Sequence, residues 1–297
     1  MPHTVDRYRI FGEPVDFMNC RAVAEGFRSI LRGWDFDECP IAPDEAAYMR
    51  FEHRNGIYSW DAPWISERLK DKRGRIDTVA DAVCDFHYEF IDWYVDRHPL
   101  SFCMHTAAVA FKDGAVLFPA IQRAGKTTLS VHLAKRGHRL IGDDVVAIDV
   151  ETLQTNALGL LPRIRLPLPC DRTDADYGQF VAKRAGLSDR HWQYVALQDD
   201  ELCRLGENHA IAAIVLLDRR PSGAAEFAPV SGGMALKTLI DQNFGIVDRP
   251  NLVFDRLKAL ATSRLCLALR YSDVSEAADL LSERFGVAAG PNPEAPR

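Results

Sequence analysis

Apolar and polar positions along the chain fall into two regimes. Up to residue 95 the apolar runs are short and mixed with acidic and aromatic residues. Pro40, Pro63 and Lys72-Arg73-Gly74 interrupt them, which predicts a small N-terminal α+β region over 1–95. Within it Val79, Val83, Phe86, Phe90 and Tyr94 recur at helical spacing, so Thr78 to Val95 is expected to form one amphipathic helix. It should stop before His98-Pro99, because proline disfavours helix in the residue ahead of it.

From 96 to 287 short β-rich runs alternate with helical patterns, the signature of an α/β domain. Residues 107–111 and 115–118 read as strands joined by Lys112-Asp113-Gly114, where Asp-Gly supplies the positive φ of a tight hairpin. Leu129 to Arg136 reads as a helix closed by Gly137, and 140–141 with 145–148 as strand interrupted by an acidic pair. The unbroken apolar run 210–217 suits a central strand covered on both faces. Residues 232–244, 253–261 and 275–285 read as helices, with strand 265–269 between the last two. The proline-rich stretch 288–297 is expected to be a disordered tail.

Composition narrows the ligands. With 297 residues, 47% apolar and 26% charged, the chain has an ordinary globular balance. The net charge of -6 is spread along it, which argues against a nucleic-acid binder and leaves small molecules or another protein. Seven widely spaced cysteines without a Cys-x-x-Cys pair fit a reducing, cytoplasmic setting. No basic segment followed by an apolar run opens the chain, and no stretch approaches the roughly 18 apolar residues a bilayer span needs, so no membrane partner is expected.

The chemistry concentrates after the strand ending near Phe118. Pro119 to Thr128 reads PAIQRAGKTT, between an apolar strand and a helix. A phosphate cradle needs a strand to fix the loop, consecutive N–H groups, a lysine for the β/γ phosphates and a hydroxyl for Mg²⁺. Gln122, Arg123, Ala124, Gly125, Lys126, Thr127 and Thr128 can supply these: Gly125 by close backbone approach, Lys126 by charge, Thr127 as a metal ligand. The free N–H groups of the helix start add to the anion site. Gly-Lys-Thr alone also describes a helix that merely begins with those residues, and the full pattern has glycine where this chain has Ala120. Asp143-Asp144, after a short strand, are expected at the carboxyl end of the sheet, where α/β folds place ligands. Adjacent strand residues face opposite ways, so one would bind Mg²⁺ and the other accept the proton of an attacking hydroxyl. A solvated Gly-Asp-Asp turn is the competing reading.

The run Lys126 to Asp144 (KTTLSVHLAKRGHRLIGDD) closely resembles the corresponding run of HPr kinase/phosphorylase, and Met104-His105 resembles a Met-His ahead of that family's P-loop. The likeness spans about 40 residues. The first 95 residues more resemble HPr-kinase-related proteins found beside peptide-modification genes, including lasso-peptide kinases. The resemblance implies an α/β fold of the HPr kinase and phosphoenolpyruvate carboxykinase type. It also implies ATP and Mg²⁺ as cofactors, bound through Gly125, Lys126 and Thr127. By it Asp143 is the general base, Asp144 its acidic neighbour and a metal ligand with Thr127, and His105 a group lining the site. Arg163 is the candidate for stabilising the transferring phosphoryl group. The family's Glu-Ile-Arg-Gly signature is replaced by 159–166, GLLPRIRL, whose missing glutamate weakens any case for phosphorolysis. Hexameric relatives imply homo-oligomerisation without fixing a number.

These readings converge on a kinase moving the γ-phosphoryl of ATP to a hydroxyl, serine foremost, of a peptide or protein. A nucleotide-binding regulatory or peptide-chaperone module, and a small-molecule kinase, are the alternatives.

Overall fold

The computed structural model describes residues 4–42, 44–62, 76–120, 124–168, 175–244 and 249–287. Gln122, Arg123 and the tail 288–297 lie outside the described residues.

Two short turns organise the first sheet. Strands β1 (Val5–Ile10) and β2 (Glu13–Met18) are joined through Phe11-Gly12. After α1 (Arg21–Ile30) and β3 (Asp37–Glu38), β4 (Met49–Arg54) and β5 (Ile57–Asp61) are joined through Asn55-Gly56. All four turn residues have positive φ, from 51° to 79°, as the twist of a two-residue hairpin demands. The sheet runs β3-β1-β2-β4-β5. Helix α1 and α2 (Val79–Arg97) close it with aromatic packing: ring centroids lie 4.9 Å apart for Phe17–Phe51 and 4.7 Å for Phe27–Phe90. The helix expected over Thr78 to Val95 is therefore present, capped by the Thr78 hydroxyl, which accepts from the Asp81 N–H.

The remaining elements build a ten-stranded sheet and a separate three-stranded one. They begin with β6 (Ser101–Met104), β7 (Thr106–Phe111), β8 (Gly114–Pro119) and α3 (Lys126–Lys135), followed by β9 (Arg139–Gly142), β10 (Val146–Asp149), β11 (Gln154–Asn156) and β12 (Arg163–Arg165). Next come α4 (Ala175–Lys183), β13 (Ala185–Ser188), β14 (Trp192–Val195), β15 (Asn208–Arg219) and β16 (Glu226–Pro229). Helix α5 (Gly232–Gln242), β17 (Asn243–Phe244), α6 (Pro250–Ser263), β18 (Leu265–Tyr271) and α7 (Val274–Phe285) complete the chain. The long apolar strand β15 is central, parallel to β8 on one side and β18 on the other. Residues of β8 and β15 feed two cores in alternation, except at the bulge of β15 between Ile211 and Ala213. Val116, Phe118, Ala213 and Val215 pack with α3 and α7, whereas Leu117, Ile211 and Ile214 pack with α5 and α6. Strands β12, β14 and β13 form a separate three-stranded sheet, in that order. The fold is thus mixed α/β.

The N-terminal elements are bonded to the rest at definite points. The Trp34 indole donates to the Leu158 carbonyl at 2.7 Å, and the Arg32 N–H donates to the Gly159 carbonyl at 2.7 Å. Gly159 has φ 63°, and a Cβ there would lie 2.0 Å from the Arg32 oxygen, so the contact requires glycine.

Candidate functional site

The loop after β8 ends at Gly125, whose φ of 93° turns the chain into α3. A side chain there would meet the Tyr271 hydroxyl at 2.9 Å, and that hydroxyl itself donates to the Ala124 carbonyl at 3.1 Å. The last residue of β18 thus buttresses the loop. The first N–H of α3 to find a helical partner is that of Leu129, which donates to the Gly125 carbonyl at 3.0 Å. The N–H groups of Lys126, Thr127 and Thr128 therefore head the helix as an anion-attracting end.

Lys126 is buried, and its ammonium donates to the Ala120 carbonyl at 2.9 Å and to His105 Nε2 at 3.2 Å. Burial lowers its pKa, with Asp143 and Asp144 opposing. Burial also lowers that of His105, which keeps the ring neutral near pH 7. Since Nε2 accepts from the ammonium, Nδ1 carries the proton and donates to Asp144 Oδ1 at 3.2 Å. The other Asp144 oxygen accepts from the Tyr88 hydroxyl of α2 at 3.0 Å. Lys126, His105, Asp144 and Tyr88 form one continuous polar chain.

The acidic pair lies in the bend between β9 and β10, where both carboxylates line one cavity. This corrects the expectation that they face opposite ways, because the strand has already ended at Gly142. Their environments nevertheless differ. Asp143 is 8% exposed and its Oδ1 is buried without a partner among the described residues, while the Asp144 side chain is 34% exposed. Burial, reinforced by Asp144, pushes Asp143 up to about 7, against the pull of the Thr127 hydroxyl, Lys126 and the Arg163 N–H.

The cavity holds about 450 Å³ and its lining comes from well-separated parts of the chain. Ala124 to Thr128, His105, Asp143, Asp144 and Arg163 meet there. Among the candidates named from the sequence, only Gln122 and Arg123 lie outside the described residues. The rest of the lining is a set that sequence reasoning did not assemble: His87 and Tyr88 of α2, Arg165 of β12, Trp192 and Tyr194 of β14, and Arg219 at the end of β15. His132 and His138 are fully buried outside it, the first stacked on Tyr177 and the second bonded to the Ser282 hydroxyl at 2.7 Å.

No family model matches the chain, and a search of curated proteins finds no match. Among solved structures it is similar to the HPr(Ser) kinase/phosphatase from Coxiella burnetii, at 16% identity over 52% of this chain and 93% of that one, with a TM-score of 0.26. A likeness at that score decides neither fold nor chemistry. What the site can do rests on its own geometry.

Asp143 and Thr127 could hold a divalent cation. An unpartnered carboxylate oxygen on a buried aspartate, next to a threonine hydroxyl at a helix start, is a hard-oxygen set of the kind Mg²⁺ takes. No helix among the described residues is long and apolar enough to cross a membrane.

Proposed function

We propose that this chain is an ATP-dependent kinase that transfers the γ-phosphoryl group to a hydroxyl, serine foremost, of a peptide or protein. The observation that carries this reading is the convergence on one cavity of a positive-φ glycine at a helix start, a buried lysine, and two carboxylates in different environments. Phosphoryl transfer asks little covalent chemistry of a protein, so positioning and charge suffice. The N–H groups of Lys126, Thr127 and Thr128 receive the phosphates, and the Lys126 ammonium turns from Ala120 and His105 to the β/γ oxygens.

The two aspartates divide the work in the reverse of what the family resemblance implies. Thr127 and Asp143 would hold Mg²⁺, because the Thr127 hydroxyl lies against the buried Asp143 carboxyl, one oxygen of which has no partner among the described residues. A bound Mg²⁺ supplies charge neutralisation at the phosphate oxygens. Asp144, more open and held by donors on both oxygens, takes the proton from the acceptor hydroxyl. Arg163, whose N–H lies beside Asp143, stabilises the charge of the transferring group.

A transfer assay with γ-³²P-ATP tests the assignment. Lys126→Ala should lower transfer by roughly a hundredfold or more. Asp144→Asn should lose transfer while retaining nucleotide, and Asp143→Asn should weaken the Mg²⁺ dependence. Wild-type transfer rates in the Asp144 variant would remove it as the base. Nucleotide binding by the wild type without transfer to peptide, protein or small hydroxyl compound would favour a regulatory module.

A further inference from the structure

The two buried arginines among the described residues come with their counter-ions. Arg7 is clamped by Asp16 at 2.6 and 3.0 Å, and Arg139 by Glu207 at 2.7 and 2.8 Å. Arg163 and Arg165 differ: among the described residues neither has a carboxylate partner, and both line the cavity. Their guanidinium carbons lie 4.6 and 4.9 Å from the centroid of the Trp192 ring. The register explains the grouping, since Arg163 is opposite Tyr194 and Arg165 opposite Trp192 on paired strands, with i and i+2 sharing a face.

We propose that the Arg163–Trp192–Arg165 stack recognises an oxyanion, a carboxylate or phosphate, carried by the acceptor near its reacting hydroxyl; this rests on the kinase reading above. Two like charges drawn to one ring repel each other, and the ring's negative face offsets only part of that cost. An anion between or beside them removes the remainder. Held near one ring, the two guanidinium groups can present their donor forks together to a planar carboxylate or a phosphate. Strand spacing supplies the reach. Arg163 has its N–H beside Asp143, and Arg165 stands about 7 Å further along β12, close to the span of two extended residues. The oxyanion therefore belongs to a group one or two residues, or the equivalent length, from the hydroxyl. Tyr88 and Tyr194 give the intervening stretch an aromatic wall.

The full chain, ATP labelled at the γ position and four acceptors test this. Two are serine peptides differing only in Glu or Gln beside the serine, and two are glycerol 3-phosphate and glycerol. The wild type should label one anionic acceptor at least roughly tenfold better than its neutral twin, the usual margin of a charge-assisted bond. In Arg165→Gln the ratio should fall to near one with nucleotide binding unchanged, and Arg165→Lys should keep part of it. Arg165 is exposed, so an unchanged melting temperature is expected and checks that the fold survives. Selectivity in the peptide pair assigns a carboxylate source, and in the glycerol pair a phosphate source. Equal labelling of both twins by the wild type, or undiminished selectivity in Arg165→Gln, overturns the proposal. If no acceptor is labelled, the kinase reading has failed separately, and equilibrium dialysis of the same four compounds decides. Retention of an anionic twin by the wild type but not by Arg165→Gln upholds the stack, and equal retention of the twins overturns it.

Discussion

The two walls of the cavity are built on different principles. One comes from Ala124 to Thr128 at the start of α3 and from Asp143 and Asp144 just after β9, close together in sequence, and local backbone geometry sets nearly all of it. The other gathers Tyr88 from a helix of the N-terminal half, Arg163 and Arg165 from one short strand, and Trp192 and Tyr194 from another. Nothing local brings these together; tertiary packing does. A wall of the first kind survives distant change, whereas the second is only as good as the contacts joining the halves.

The sharpest way to break that contrast is Gly159→Ala. The new methyl would have to occupy the space of the Arg32 carbonyl in a backbone conformation that L residues avoid. A loss of roughly 2–4 kcal/mol is expected in urea unfolding. The Tyr88 side of the cavity should suffer before the Lys126 side, seen as acceptor KM rising before nucleotide affinity falls. An unfolding midpoint equal to wild type would show that this junction does not tie the walls together.

Asp143→Asn tests the local wall, with a smaller effect whose sign depends on pH. The folded carboxyl is raised to about 7 from 3.8, so between those values the native state holds a proton that the unfolded chain has lost. Ionisation therefore costs stability increasingly as pH rises through that window, and the whole cost is present above it. Without metal, the variant should be more stable than wild type at pH 8, by roughly 1 kcal/mol or more, with the difference shrinking toward pH 4. Adding Mg²⁺ at pH 8 should raise the wild-type melting temperature and leave the variant little changed. A pH-independent difference would mean that Asp143 is ionised throughout.

Tyr88→Phe should have the smallest effect. It removes one donor to Asp144 and leaves the ring in place, so transfer should drop roughly fivefold, about the worth of one hydrogen bond, with nucleotide affinity unchanged. Equal transfer rates would confine Tyr88 to packing.

Legibility in the sequence follows the same divide. The strand–loop–helix context, the closing Gly137, the central strand and the helix of the N-terminal half could all be read from periodicity and turn chemistry. Helix α3 starts three residues earlier than the apolar pattern indicates, because Gly125 sets its start rather than Leu129. The Asn55-Gly56 hairpin carried an equally strong signal that would have resolved the first sheet. Tyr88 lies off the buried stripe of its helix and reads as solvent-facing, while β14 has four residues, too few for a period. The arginine pair was legible as charge, but its stacking on Trp192 depends on a register between strands that no local pattern encodes.

The resting position of the Lys126 ammonium has a thermodynamic consequence. Because a carbonyl and a neutral imidazole already hold it, a phosphate bound as proposed would take it over from other partners rather than newly engage it. Measured nucleotide affinity thus reports a difference between two sets of bonds. Weakening the resting set, as with His105→Ala, should tighten ATP binding even where it slows turnover.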